Sequence, residues 1–170
     1  GKWIKENDCE QIKGFFEMDV DVKVGYDKVL KYRDYLETCS NKIIPVWHKS
    51  LGINEFKKMV KNYNYVSIPC VGNKEIPLEQ IPYFVKHAHK NNTKIHGLGM
   101  TQKKILDTVP FDSVDSSSWF KTPRFGRYKN KRLDTTYIRE NSDKLFILEY
   151  MDFIKFHNKY YKKWKFYHND

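Results

Sequence analysis

Apolar residues along the chain fall into short continuous runs separated by segments in which they recur every three or four positions. The runs at Gly14–Val20, Lys42–Trp47, Tyr65–Val71, Lys94–Leu98 and Phe111–Val114 read as strands. Between them, helical spacing predicts amphipathic helices over Tyr26–Cys39, Asn54–Asn62, Leu78–Asn91 and Gln102–Thr108. In the first helix Tyr26, Val29, Leu30, Tyr32 or Arg33, and Leu36 share the inward face. In the last, Thr101 is placed to cap the N-terminus, with Ile105 and Leu106 turned inward. Strand and helix alternating in this way is the signature of βα units around a parallel sheet, and five units are visible.

The pattern changes after Trp119. Lys121–Arg139 carries seven basic residues against Asp134 alone, and reads as a long basic loop with room for a short strand. Asp143–Tyr167 is a predicted helix. Phe146, Tyr150, Phe153, His157, Tyr160 or Tyr161, and Trp164 form one face, and Lys155, Lys159, Lys162, Lys163 and Lys165 another. An aromatic stripe flanked by lysines either packs on its own domain, with the lysine stems lying alongside, or grips nucleic acid. The expected division is therefore an α/β body over residues 1–120, with a basic loop and C-terminal helix over 121–170 packed on the same domain.

Charge sharpens this picture. The 170 residues hold 31 Lys and Arg against 21 Asp and Glu, a formal net charge of +10, of which +7 lies from Lys121 onward. Such a field attracts polyanions, and nucleic acid is the first partner it implies. Cys9, Cys39 and Cys70 are far apart and form no CxxC or Cys/His cluster. That excludes a disulfide framework and a standard structural zinc site, and points to a reducing, cytosolic compartment. No apolar run approaches the ~18 residues of a membrane span. No cofactor and no metal are expected, and a metal-dependent enzyme such as a phosphodiesterase is disfavoured because the strand ends lack a metal-binding set of His and Asp/Glu.

The densest chemistry lies in Thr93–Gln102 (TKIHGLGMTQ), Phe111–Trp119 (FDSVDSSSW) and Arg124-Phe-Gly126. A carboxylate, three hydroxyls and an aromatic where a buried strand stops are poor core material and good site material. Asp112 and Asp115 are candidates both for strand-end capping and for chemistry, with Asp115 favoured as its centre. His48 ends the Ile43–Trp47 strand and suits either base contact or a structural hydrogen bond, and His96 is similar. His87 and His89 are expected at the surface, and His157 and His168 join no ligand cluster.

These residues resemble the C-terminal part of the tRNA-guanine transglycosylase superfamily. The nearest likeness is to barrel proteins of phages and bacteria related to the DNA transglycosylases that insert 7-deazaguanines. The resemblance covers roughly residues 14–127, and HGLGMT with FDSVDSSSW is its most specific part. It implies a parallel (β/α) barrel of TIM type in which Val114-Asp115, opening SSSWFKTP and closing at Arg124-Phe-Gly126, matches the segment of the family's nucleophile. Asp115 would then trap C1′ of the nucleotide covalently while the glycosidic bond breaks, as a carboxylate does in glycosidases. Asp19, ending Phe16-Glu-Met-Asp19, falls on the family's base-recognising aspartate, where it would accept from the N1–H and exocyclic amine of guanine. Trp119 and Ser116 would line the base site, His48 and His96 would contact the base, and Arg124 and Arg127 would take phosphates.

The family's Cys-rich zinc motif and its Asp-Ser-Gly-Gly-Phe segment have no counterpart in this sequence. A chain of this length is also short of the ~250 residues of a complete barrel. The five units thus correspond to the last five of eight, and the first three would come from a missing N-terminal segment or a second polypeptide. The chain opens at Gly1 without Met, which fits processing, a tag remnant or a fragment. The implied function is base exchange, guanine for a 7-deazaguanine, in DNA, with RNA as the other candidate substrate. The alternative is a non-catalytic nucleic-acid-binding or assembly subunit with a degenerate barrel.

Overall fold

The structure is a computed structural model that describes residues 1–70, 76–117, 126–128 and 131–167; the side chain of Arg127 is not among the described parts. Its strands are β1 (Phe15–Phe16), β2 (Ile43–Ile44), β3 (Tyr65–Pro69), β4 (Lys94–Leu98), β5 (Ser113–Val114), β6 (Arg127–Tyr128) and β7 (Lys131–Arg132). Its α-helices are α1 (Lys2–Asn7), α2 (Asp21–Val24), α3 (Tyr26–Glu37), α4 (Gly52–Asn62), α5 (Ile81–Lys90), α6 (Lys103–Leu106), α7 (Thr135–Glu140) and α8 (Ser142–Trp164). The chain forms two compact units, one of Gly1–Leu98 with Phe111–Ser113, the other of Gly99–Pro110 with Val114–Asp170. The division expected at 120/121 falls inside the second unit.

In the first unit the expected sequential parallel order holds for the first four strands. β1 pairs parallel with β2, Phe15 opposite Ile43 and Phe16 opposite Ile44. A parallel bridge joins Val46 to Ser67, and β3 runs parallel to β4 from Tyr65 opposite Lys94 to Pro69 opposite Leu98. Next to β4 comes β5. The molecule is thus a mixed α/β protein with parallel strands. β2 is shorter than the Lys42–Trp47 run because Pro45 has no N–H for the ladder; its carbonyl still accepts from Ser67 N–H at 2.9 Å.

Alternation along β3 sends Val66 and Ile68 to one face and Ser67 to the other, and all three are fully buried, as parallel strands require. Phe56, Met59 and Val60 of α4 and Ile81, Phe84, Val85 and Ala88 of α5 supply the helical side of this core. Trp47, Phe56 and Phe84 form an aromatic triangle with centroids 4.8–5.6 Å apart. Thr93, buried ahead of β4, donates to the Val60 carbonyl at 2.7 Å and so satisfies an end-of-helix acceptor on α4. A smaller cluster of Ile4, Phe15 and Ile43 packs against Ile12, Leu36 and Cys39. On α3 the inward residue is Arg33 rather than Tyr32, for a reason given below.

The second unit differs from expectation in two places. Gln102, not Thr101, occupies the N-cap of α6, and no side chain caps that helix. Within the basic stretch, an antiparallel β6–β7 pair leads into α7, whose N-cap Asp134 accepts from Thr136 N–H and Tyr137 N–H at 2.8 and 3.2 Å. The long loop is thus punctuated by a hairpin and a capped helix. On α8 Leu145 and Tyr160 are buried and Phe146, Phe153, Phe156 and Trp164 half-buried, while Tyr150 and His157 are exposed. Trp164 donates to the Leu106 carbonyl at 2.9 Å, and Asp107 takes Lys159 and the Tyr160 hydroxyl at 3.0 Å each. Packing therefore claims part of the stripe. Among the described residues no helix is long and apolar enough to cross a membrane.

Candidate functional site

Asp19 lies in the turn after β1, and Asp21 is the first residue of α2. His48 follows β2 and occupies the N-cap position of the 3-10 turn Lys49–Leu51 without a side-chain capping bond. Because β1 and β2 are parallel neighbours, these segments leave the sheet at the same end, and their side chains meet there. His48 Nε2 lies 2.9 Å from Asp19 Oδ1 and 3.7 Å from Asp21 Oδ1. The His48 side chain is 5% exposed, Asp21 10% and Asp19 51%, so the cluster is closed on the protein side and open at Asp19. The sequence brought Asp19 and His48 forward separately and missed Asp21, although the Asp-x-Asp spacing was its signal. The expectation that strand ends lack a metal-ligating set is corrected here: Asp19, Asp21 and His48 each offer a ligand atom, all within 4.8 Å of one another.

Glu17, also in the β1 exit, belongs to the frame of this cluster. Its carboxylate takes Arg33 Nε at 2.7 Å, Arg33 Nη2 at 2.8 Å and Val46 N–H at 2.6 Å. One buried carboxylate thereby ties α3 to both strands that present Asp19 and His48.

Asp115 sits directly after β5 and is exposed. Its Oδ1 accepts from Gly99 N–H at 2.7 Å. Gly99 has φ +68°, left-handed backbone that favours glycine, and this turn aims its N–H at the carboxylate. The HGLGM and DSVDSSSW segments, distant in sequence, are therefore physically joined. Ser116 beside Asp115 is half-buried.

His96 lies in the middle of β4 rather than at a strand mouth, which corrects its placement. It is buried, its Nδ1 is hydrogen-bonded to the Ser113 hydroxyl, and its ring lies 4.4 Å from that of Phe16. Ser113 is also bonded to the Tyr65 hydroxyl, and burial pushes the Tyr65 phenol up from its ordinary pKa. His96 is thus part of a structural polar network. Asp112 is sorted from Asp115 in the same way, since its Oδ2 accepts from Ile95 N–H at 2.8 Å and lies 2.9 Å from His89 Nε2. His89 and His87 are half-buried rather than at the surface, His87 stacking on Tyr83. Trp119 and Arg124 lie outside the described residues, as does the side chain of Arg127, whose backbone forms β6.

No family model matches the chain, and none of the curated proteins or solved structures does either.

Proposed function

We propose that the chain is a nucleic-acid base-exchange enzyme of the transglycosylase type, or a part of one, that replaces guanine by a 7-deazaguanine in DNA. The observation that carries this reading is the Gly99–Asp115 hydrogen bond. It joins the two segments on which the resemblance rests and orients an exposed carboxylate at the end of a strand of a parallel sheet, where α/β folds place their chemistry.

In the reaction the C1′–N bond breaks and the departing guanine keeps its electron pair. Asp115 forms an ester to C1′ on the opposite face; the incoming base then attacks C1′ and releases the carboxylate. The target nucleotide is extruded from any duplex first. Four consecutive parallel strands with β5 beside the last support a reading as the final units of an eight-unit barrel, with the remaining three supplied by preceding chain or by a second polypeptide. The basic segment from Lys121 provides the field that holds the phosphates.

The reading is tested by incubating the protein, together with any completing segment, with guanine-containing DNA or RNA and looking for a denaturant-stable adduct and for uptake of labelled 7-deazaguanine. Adduct and uptake with DNA are expected. Tight binding without either result points instead to a non-catalytic nucleic-acid-binding subunit.

A further inference from the structure

We infer that Asp19, Asp21 and His48 form a binding site for a divalent transition-metal ion. One imidazole nitrogen and two carboxylate oxygens converge from the exits of two adjacent parallel strands. Ligand atoms about 2.1 Å from a metal sit roughly 3.0 Å apart in octahedral and 3.4 Å apart in tetrahedral geometry. The 2.9 and 3.7 Å separations of His48 Nε2 from Asp19 and Asp21 bracket those values.

The second observation is the state of Asp21. Its side chain is nine-tenths buried, and Oδ1, the atom facing His48, has no hydrogen-bond partner among the described residues. No Lys or Arg pairs with it there either, and the buried guanidinium of Arg33 is held by Glu17. His48 Nε2 lies 2.9 Å from Asp19 but 3.7 Å from Asp21, beyond hydrogen-bond distance, so it does not satisfy the Asp21 oxygen. Burying a carboxylate oxygen with no donor is costly, and such charges are normally paired or coordinate metals. One divalent ion resolves the arrangement, taking the lone pair of neutral His48 and both carboxylates. The cleft here is about 10 Å³, on the scale of one ion or water, and Glu17, Tyr26 and Val46 contribute to its walls.

The donor set narrows the ion. A nitrogen ligand beside two carboxylates favours Zn²⁺ or Mn²⁺ over Mg²⁺ or Ca²⁺, which prefer oxygen throughout. Three protein ligands with the Asp19 side open to solvent is the layout of a site that takes an outside ligand, not of a closed structural site. Asp19 would then meet a substrate through the ion. The inference does not depend on base exchange.

The test uses the full chain, stripped with EDTA and titrated calorimetrically with Zn²⁺ and Mn²⁺, with Mg²⁺ for comparison. Expected are one saturable site for Zn²⁺ or Mn²⁺, a raised Tm with the ion, and weaker Mg²⁺ binding. Asp21→Asn and His48→Gln should each weaken the site by more than about tenfold, since loss of even an outer-shell partner costs that much. His89→Gln should leave it unchanged. Electron spin echo of bound Mn²⁺ should show nitrogen coupling that disappears in His48→Gln. The metal-free Asp21→Asn protein should be as stable as the metal-free parent or more so, because the buried Oδ1 that has no hydrogen-bond donor no longer carries carboxylate charge. Absence of a saturable site, or a site indifferent to both substitutions, overturns the inference. So does a metal-free Asp21→Asn protein of lowered Tm that leaves metal uptake unchanged, the signature of a His48 counterion only.

Discussion

Arg33 holds Glu17 through two parallel hydrogen bonds, Nε to Oε2 at 2.7 Å and Nη2 to Oε1 at 2.8 Å, with both side chains almost fully buried. Burial works against the Arg33 charge, but the hydrogen bonds and charge of Glu17 outweigh it and raise the guanidinium pKa. The rings of Tyr26 and Tyr63 lie 5.8 Å from the guanidinium, giving it a cation–π frame. Arg33→Ala, which strands the buried Glu17 carboxylate, should cost about 3–5 kcal/mol in denaturant unfolding. The double variant Arg33→Met with Glu17→Gln should recover much of that. Equal loss in the single and double variants would show that the pair is not what matters.

The two tyrosines give the fold an alkaline limit. Burial, then hydrogen bonds to Glu55 and Glu37 respectively, push Tyr26 and Tyr63 up to about 12 from an ordinary 10.0. A raised folded-state pKa means that the neutral phenol is favoured in the native state. Its contribution is fully present below pH 10.0 and is lost as pH rises through about 12. Unfolding midpoints measured from pH 9 to 12 should fall over the upper part of that window. Tyr26→Phe with Tyr63→Phe should flatten the decline.

Asp112 and Asp115 are three residues apart and should behave oppositely. Asp112→Ala removes the acceptor of the Ile95 N–H and the partner of His89, and should cost about 1–3 kcal/mol. Asp115→Asn should leave stability within about 1 kcal/mol and abolish adduct formation and base exchange. An Asp115→Asn protein with full exchange activity would remove the nucleophile role.

Nucleic-acid affinity should fall linearly in log K against log salt. Neutralising Arg124, Arg127, Lys129 and Arg132 together should reduce that slope by roughly three to four, if each meets one phosphate. Filter binding or fluorescence anisotropy from 50 to about 200 mM salt reads it directly. An unchanged slope places the docking surface elsewhere.

Sequence alone determined what is repeated locally. α4, α5, β3 and β4 were legible because their apolar spacing states which face is buried, and the order of strands followed from the alternation of elements. Asp115 stood out because polar residues are dense where an apolar run stops, and its place directly after β5 agrees with that run's end. Pairing across distance was not legible. Nothing in the period of α3 says that Arg33 rather than Tyr32 turns inward, because a buried guanidinium is acceptable only with Glu17, sixteen residues earlier, already in place. His96 looked like a strand-end residue, yet the network with Ser113 and Phe16 holds it in the interior of the sheet. Asp21 passed unnoticed because the turn between β1 and α2 brings it toward His48, twenty-seven residues downstream. Local periodicity fixes which side of an element is buried. Only the parallel register of β1 with β2 decides which polar side chains leave the sheet together, and so where a site can form.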